Sequence, residues 1–534
     1  MRTRLKPIKP SSPGCETPRH DHCHIAWRVT AKPTIPIIWS YLALFALCGG
    51  GLWQQLRSVL HHDPAWLIHG TEVFLGGGKL YRDVFELNPP LIFYLTVPPV
   101  WIAQQFGLFT IDVFVVYVFV LIATSLALAW ALLRHDHVVS WSFRQLFLLA
   151  AALTLVVMPS ERFGQREHLM VILSLPYLLL LVLRSRLIAA GAILSAAIGT
   201  LAALGFALKP YFLLVPAATE LYLVMRANTI RRCFRPETTT LAVVGLIYFA
   251  SILVFTPDYL TVIVPFAAKV YDSGYNSTLF SVLARPESIL MPVILLAHLV
   301  TRRRQPIPEL GDILSIAAVG FFAAYVMQMK VWSYHIYPLD AALYLLLASV
   351  FLQGLRSVAA PPPLRYLNAA LAGLLAIMTA SAGLQRVLYD FHTDFSFMND
   401  MAPFVSRLPR GTFIYVFSAG VFNGFPMVNY DHLGWSSRFD TFWLLPGMIG
   451  QPTRSGRIDR FLRDAVVADL TTHPPLLVFV DAAARKYRFE NSQFDYIAYF
   501  SSDPRFRQIW AGYREIARVQ DFQIFIRSAP TGSK

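Results

Sequence analysis

Long apolar stretches separated by short polar connections fill the chain up to about residue 390. A membrane-spanning helix needs about 20 predominantly apolar residues. Stretches that reach or approach this length lie near 34–53, 111–133, 145–160, 169–183, 188–207, 210–225, 240–256, 288–301, 311–329, 335–355 and 366–388. The pattern predicts an all-α polytopic membrane domain of about eleven transmembrane helices over residues 34–389.

The pattern changes after about residue 390, where short β-like runs alternate with helical patterns. The runs TFIYVFS, PLLVFVD and FQIFIR are rich in β-branched and aromatic residues, whereas GRIDRFLRDAVVADL repeats apolar residues at helical spacing. We predict a small α/β domain over 390–534. All four cysteines lie at or before Cys233, so this domain has no disulfide and depends on an ordinary core.

The polar connections alternate in charge. The arginine-rich ones contain Arg134 and Arg144; Arg184 and Arg186; Arg226, Arg231, Arg232 and Arg235; Arg302, Arg303 and Arg304; Arg356 and Arg365. Basic connections stay in the cytoplasm. We therefore expect the segment 54–110, the loop 257–287 and the domain 390–534 on the external side.

Composition agrees with a membrane protein. Of the 534 residues, 55% are hydrophobic and only 15% are charged, whereas soluble proteins carry about 25% charged residues. The formal net charge of +14 is explained by the cytoplasmic connections, so we expect membrane lipids and no nucleic acid as partners.

Residues 1–33 form a basic, proline-containing tail that we expect to be cytoplasmic and disordered. It contains Cys15 and Cys23 together with His20, His22 and His24. These residue types ligate soft metals, but their spacing fits no common zinc module, and a solvated tail is the commoner outcome.

The first external segment, 54–110, is predicted to contain two interfacial helices, AWLIHGTEVFLGG and PPLIFYLTVPPVWIAQQFG, joined by the turn Gly76 to Gly78. Asp63 precedes Pro64, and we expect it to cap the first of these helices. Capping is the structural interpretation of Asp63, and a reactive carboxylate is the functional one.

Ionisable residues are predicted to collect at the external ends of the spans, where their position carries functional information. They are Asp63, Arg82, Asp83, Glu86, Glu161, Arg162, Arg166, Glu167, His168, Lys209, Lys330 and His335. No phosphate-binding glycine motif, zinc signature or nucleophile elbow occurs in the chain. Nucleotide-sugar chemistry at a Rossmann site is thus disfavoured.

The predicted order is one helix from the cytoplasm, an acidic residue directly after it (Asp63), two interfacial helices and the segment DVFELNPPL. This arrangement resembles the GT-C superfamily of integral-membrane glycosyltransferases. The resemblance implies transfer of a sugar from a polyprenyl-phosphate donor to a glycan or lipid acceptor. It also implies a bacterial inner-membrane protein with a periplasmic C-terminal domain. Asn88 departs from relatives that have a lysine before the Pro-Pro step. The lack of a Trp-Trp-Asp motif argues against the oligosaccharyltransferase branch.

The resemblance and the residue types together give a candidate site. We predict Asp63 as the catalytic base, with its pKa raised by burial. Glu86 would position the acceptor, hold a divalent ion or replace the base; whether a metal is needed stays open. The donor-phosphate candidates are Arg82, Arg166, Lys209, Lys330 and His335, and the acceptor or sugar contacts are Asp83, Tyr211, Tyr334, Asn429 and Trp435. We expect Asp63, Glu86, Lys209 and His335 to converge in one cavity.

Structural interpretations stand beside these roles. Lys209 is also explained as a lysine that extends to the membrane interface, and the aromatic residues near His335 as interfacial anchors. The segment SERFGQREH is also explained as a self-paired turn. At the level of function, the alternatives are a transporter or lipid flippase, and an envelope-glycan polymerase or ligase with a diphosphate-linked donor.

Overall fold

The computed structural model describes residues 37–355, 362–392, 395–450, 456–489 and 493–528. The cysteine- and histidine-containing tail lies outside these residues.

Each apolar stretch predicted to span the membrane corresponds to a helix. The helices of this part are α1 (Ile37–Gln55), α2 (His62–Leu75), α3 (Leu91–Phe106), α4 (Thr110–His135), α5 (Trp141–Val156), α6 (Arg166–Ser185), α7 (Ala192–Phe206), α8 (Leu214–Ala227), α9 (Pro236–Phe255), α10 (Val264–Phe266), α11 (Asp272–Tyr275), α12 (Leu279–Leu283), α13 (Pro286–Thr301), α14 (Pro308–Gln328), α15 (Ser333–Gly354) and α16 (Pro362–His392). Two π-helical turns, Tyr259–Ile263 and Ala267–Tyr271, flank α10.

Six helices in the described ranges are long and apolar enough to cross a membrane: α4, α6, α9, α14, α15 and most of α16. The all-α membrane domain is therefore confirmed, whereas the number of eleven spans stays a prediction. α6 is buried over 94% of its apolar window and packs against α4, α7, α14 and α15, while α9 is buried over only 6%. A helix that is apolar on all sides suits either position, the centre of a bundle or its lipid-facing edge.

A close helix contact explains one glycine. A Cβ atom at Gly199 of α7 would lie 2.3 Å from the backbone oxygen of Glu237 in α9. Only glycine lets these two backbones approach so closely, and this contact brings the start of α9 beside α6 and α7.

The C-terminal region contains the predicted sheet. Its elements are α17 (Ser396–Val405), β1 (Phe413–Phe417), α18 (Met427–Tyr430), β2 (Gly434–Trp435), α19 (Leu444–Gly450), α20 (Gly456–Thr472), β3 (Leu477–Asp481), α21 (Tyr496–Phe500), α22 (Pro504–Trp510), β4 (Tyr513–Val519) and β5 (Phe522–Arg527). The strand order is β2-β1-β3-β5-β4. β1 runs parallel to β2 and β3, and β5 runs antiparallel to β3 and β4.

The sheet domain is fastened to the first external segment through Phe85. The backbone N–H of Phe85 donates to the Arg438 carbonyl over 2.7 Å, and its buried ring contacts Phe439, Trp443 and Phe461. This contact holds the loops of the domain over the start of α2.

Candidate active site

A cavity of about 660 Å³ lies between the helical domain and the loops of the sheet domain. Its ionisable lining residues are His61, His62, Asp63, Glu86, Glu161, Arg166, Lys209, Lys330, His335 and Asp440, and its larger aromatic residues include Tyr211, Tyr259, Tyr271, Trp332, Tyr334 and Trp443. Asp63, Glu86, Lys209 and His335, expected to converge, therefore line one cavity.

Asp63 lies in the first turn of α2 but does not cap it. The cap is His61, whose Nδ1 accepts from the Asp63 N–H at 3.5 Å, so the expected capping role of Asp63 is wrong. Because another residue caps the helix, the Asp63 carboxylate faces the cavity with 20% of its side chain exposed. Its nearest ionisable contact is His62 Nε2, at 3.5 Å from Oδ1.

The expectation that burial raises the pKa of Asp63 is also wrong. Burial alone acts in that direction, but His62, His61, Arg166 and Lys209 lower the pKa of Asp63 below its ordinary value. The carboxylate is thus ionised at neutral pH. It can accept a proton, although its intrinsic basicity is low.

Glu86 is a buried carboxylate that several donors hold in place. Oε2 accepts from the Trp66 indole N–H at 2.6 Å, and Oε1 accepts from both the backbone and the side-chain amide of Asn88. Asn88, the residue that departs from the lysine of some relatives, therefore fixes Glu86. These bonds favour a positioning role for Glu86 over proton transfer.

Arg166, the first residue of α6, is 6% exposed and lines the cavity. No carboxylate in the described ranges forms an ion pair with it, and its buried Nε has no hydrogen-bond partner there. Its guanidinium carbon lies 6.0 Å from the centre of the Tyr334 ring. Glu167, Asp63 and Glu86 act on it electrostatically without pairing with it. A buried guanidinium that forms no ion pair is a candidate anion site.

Lys209 does not extend to the membrane interface. Its buried ammonium donates to Glu167 Oε1 at 2.5 Å and to Gln328 Oε1 at 3.0 Å, and it lies 5.5 Å from the Tyr334 ring centre. Burial lowers the pKa of Lys209 to about 8, although Glu167 opposes this shift. The segment SERFGQREH is therefore not self-paired: Glu167 pairs with Lys209, and Arg162 pairs with Asp340 at 3.1 Å.

The start of α15 supplies the opposite wall. His335 is buried between the rings of Trp332 and Tyr334, and its Nε2 lies 3.9 Å from Glu167 Oε1. Lys330 donates to Asn276 Oδ1 and to the Gln328 carbonyl, each at 3.2 Å. Both residues line the cavity, where they can contact a ligand.

Asp440 was missed from the sequence, although it ends the loop that contains Asn429 and Trp435. Its carboxylate faces the cavity from the sheet domain. Burial, together with the nearby negative charges of Glu86 and Asp63, raises the pKa of Asp440 well above its ordinary value. The aromatic residues of the π-helical segment, Tyr259 and Tyr271, were also missed, because their run reads simply as an apolar loop.

Four predicted site residues lie outside the cavity lining. Arg82 is exposed and pairs with Asp258 at 2.5 Å, and the exposed Asp83 accepts from the Lys79 N–H. The Asn429 side chain donates to the Ala65 carbonyl. The buried Trp435 indole donates to the Phe439 carbonyl. These local contacts explain the four residues structurally, and the geometry does not favour ligand roles for them.

The expectation that ionisable residues collect at one end of the helices is wrong as well. A second set lies where α6 ends and α9 and α14 begin, including Arg184, Glu237 and Glu309. We call this the far end, since α6 separates it from the cavity by about 30 Å at 1.5 Å per residue over 20 residues. The arginine-rich connections hid this set, because they were assigned to membrane orientation alone.

One group of side chains in the described ranges has the composition and spacing of a metal site. His61, His62 and Asp63 place one ligand atom each within 4.8 Å of one another. Burial lowers the pKa of His61, and it lowers that of His62 to about 3, so both imidazoles are neutral.

No family model matches the sequence, and no curated protein matches it significantly by sequence. Among solved structures, ArnT from Cupriavidus metallidurans in the apo state matches with a TM-score of 0.56 and 12% identity. The match covers 91% of this chain and 97% of ArnT, so it includes both the helical domain and the sheet domain. The chain therefore shares the fold of ArnT over both domains.

Proposed function

We propose that this protein is a membrane glycosyltransferase that moves a sugar from a polyprenyl-phosphate donor to a hydroxyl group of an envelope glycan or lipid. The observation that carries the proposal is one cavity in which an ionised carboxylate, Asp63, lies near two buried cations, Arg166 and Lys209. A fold shared with ArnT is compatible with this chemistry.

In the proposed reaction Asp63 accepts the proton of the acceptor hydroxyl while that oxygen attacks the anomeric carbon of the donor sugar. The bond between the anomeric carbon and the lipid phosphate breaks, and the phosphate leaves with the electron pair. One displacement inverts the configuration at the anomeric carbon. Glu86, held by Trp66 and Asn88, orients the acceptor.

The leaving phosphate needs positive charge where it develops. Arg166 forms no ion pair within the described ranges, whereas Lys209 pairs closely with Glu167. We assign the phosphate first to Arg166 and second to Lys209, with Lys330 and His335 on the adjoining wall. The rings of Tyr211, Tyr271 and Tyr334 supply stacking surfaces for the sugar or its acceptor.

The arginine-rich connections support a position of the cavity on the external side of the membrane. For a bacterial cell this is the periplasmic face of the inner membrane, with the sheet domain in the periplasm. A lipid-linked donor reaches such a site from within the bilayer.

Turnover by the purified protein in lipid nanodiscs, offered a panel of polyprenyl-phosphate sugars, tests the proposal. We expect Asp63→Asn to lower turnover by a factor on the order of 100 or more, as loss of a general base does. Asp464→Asn is the matched control, because Asp464 pairs with Arg505 on the surface of the sheet domain.

Wild-type turnover by Asp63→Asn would show that Asp63 is not the base. Diphosphate-linked donors belong in the same panel. If they alone are used, the protein is a polymerase or ligase and the phosphate donor class proposed above is wrong.

A further inference from the structure

His61, His62 and Asp63 form a compact set of ligand atoms at the wall of the cavity. Two imidazoles and a carboxylate lie within 4.8 Å of one another, and the distance from His62 Nε2 to Asp63 Oδ1 is 3.5 Å. Ligands at about 2.0–2.2 Å from a tetrahedral zinc ion lie about 3.4 Å apart. One edge of the set already has this spacing. The rings of His61 and His62 lie 3.8 Å apart between centroids, so binding of an ion requires one ring to turn away from the other.

Gln165 is positioned as an outer partner of His61. Its Nε2 lies 3.1 Å from His61 Nδ1, while its buried Oε1 has no hydrogen-bond partner among the described residues. Rotating the amide by half a turn lets Oε1 accept from a protonated Nδ1, which then gives up its 3.5 Å contact with the Asp63 N–H, and this leaves His61 Nε2 as a ligand. Histidines that bind metals commonly donate their second N–H to such a carbonyl.

The donor set selects the type of ion. Imidazole nitrogen suits zinc and other borderline divalent ions, whereas magnesium and calcium prefer oxygen-only sites. Three protein ligands leave a fourth position open, which is the composition of catalytic rather than structural zinc sites. All three residues line the cavity, so this open position faces the space available to a ligand.

Charge near the site limits its affinity. Arg166 and Lys209 act electrostatically on Asp63 and oppose a further cation. Glu86 and Glu161, which also line the cavity, act in the opposite direction. The ion must therefore be held by direct ligation, since the surrounding charge nearly balances.

We propose that His61, His62 and Asp63 bind one divalent ion of the zinc type, with its open position facing the cavity. When bound, the ion supplies a Lewis acid at the cavity wall and takes the Asp63 carboxylate as a ligand, so the metal-bound form differs from the form in which Asp63 acts as the base. The test is independent of the sugar-transfer proposal, because it measures metal content and not turnover.

Zinc content per chain after dialysis, measured by inductively coupled plasma mass spectrometry on the full-length protein, tests this site. In the starting protein the N-terminal ligands are removed by Cys15→Ser, Cys23→Ser and replacement of His20, His22 and His24 by Asn. We expect one equivalent of zinc. Removal of an outer partner alone lowers metal affinity about 10- to 100-fold. His62→Ala removes a direct ligand, so we expect it to lower zinc affinity by at least this factor.

The matched control is His473→Ala, since His473 is an exposed histidine stacked on Phe413 in the sheet domain. It should keep the full equivalent. Zinc content near zero in the starting protein, or equal in His62→Ala and His473→Ala, would overturn the proposal.

Cobalt substitution gives a second test, whose result in the starting protein does not depend on the folding of any variant. The starting protein loaded with Co²⁺ should show the strong visible bands of a four-coordinate nitrogen and oxygen site, and Asp63→Asn, which keeps the shape of the side chain, should lose them. Weak six-coordinate bands in the starting protein would overturn the site without any variant.

Discussion

Buried ionisable groups lie at both ends of the helical bundle, but they are partnered differently. At the far end Glu237 is fully buried and accepts from Arg184 at 2.8 Å and from Arg235 at 2.7 Å. Other close pairs there are Arg235–Glu220, Arg186–Asp136, Arg226–Glu309 and Arg302–Asp312. Every charge named here has an opposite charge in contact.

At the cavity end the charges face open space. Arg166 has no ion pair in the part of the chain that the structure describes, and the nearest ionisable contact of Asp63 is a neutral imidazole. Lys209 and Glu167 form a close pair there, and Arg162 pairs with Asp340 at the same end. Arg166 is balanced through space by Glu167, Asp63 and Glu86 and not by a close ion pair of the kind found at the far end.

The comparison separates two uses of the same residue types. The far end stabilises the packing of the helices once its pairs are complete, whereas the cavity end is completed only by a ligand. Charges with incomplete partners in a cleft are typical of functional sites. Substitutions at the two ends should consequently affect different quantities.

The largest effect is expected at the far end. Glu237→Gln removes the charge between Arg184 and Arg235, which leaves the buried Arg184 guanidinium without a carboxylate and Arg235 with Glu220 alone. We expect the free energy of unfolding, measured by denaturation in mixed detergent micelles, to fall by about 3–5 kcal/mol. Turnover per folded molecule should not change. Unaltered stability would show that the far-end pairs are not needed for folding.

Arg166→Gln should lower activity without a comparable loss of stability. A hydrogen bond to a charged group contributes about 1.5–3 kcal/mol, so we expect kcat/KM to fall by about 10- to 100-fold. The free energy of unfolding should change little, since Arg166 forms no ion pair within the described ranges. A loss of stability as large as that of Glu237→Gln would erase the difference between the two ends.

The pH profile gives a third test. Because the pKa of Lys209 is lowered to about 8, its charge is lost above that pH, and kcat/KM of the free enzyme should then fall about tenfold per unit. The unfolded chain holds this proton up to about pH 10.4. Lys209 therefore makes the free energy of unfolding rise between about pH 8 and 10.4. Lys209→Arg should remove the alkaline fall in activity, and a fall that persists in this variant would assign it to another group.

The smallest effect is expected at Asp440. Its raised pKa favours the protonated, uncharged form of the carboxyl group, and asparagine is close to that form in shape and charge. Asp440→Asn should therefore turn over near the wild-type rate at pH 7 in the same assay in which Asp63→Asn is strongly impaired. A comparable loss in both variants would give Asp440 a share in the proton transfer.

Hydropathy and charge alternation predicted the helices well, because span length and apolar composition are local properties. β1, β3 and β5 were predicted for the same reason, while β4 was missed because its sequence YREIARV is half charged and lies at the edge of the sheet. β2 is only two residues long, and a strand this short forms no detectable sequence pattern.

The site was predicted less completely, since partners far apart in sequence decide it. Arg82 and Arg166 look alike in sequence, yet Asp258 neutralises the first and no carboxylate in the described ranges pairs with the second. The low pKa of Asp63 depends on His61 and on Arg166 and Lys209 from other elements. Asp440 faces the cavity because Phe85 fastens a distant domain above it.

Thermal unfolding in the presence of polyprenyl phosphate, without any sugar, tests most directly whether the cavity end is completed by a ligand. The melting temperature of the wild type and of Asp63→Asn should rise, because both keep the buried cations. Arg166→Gln should show little rise at the same lipid concentration, and a rise equal to that of the wild type would contradict the account.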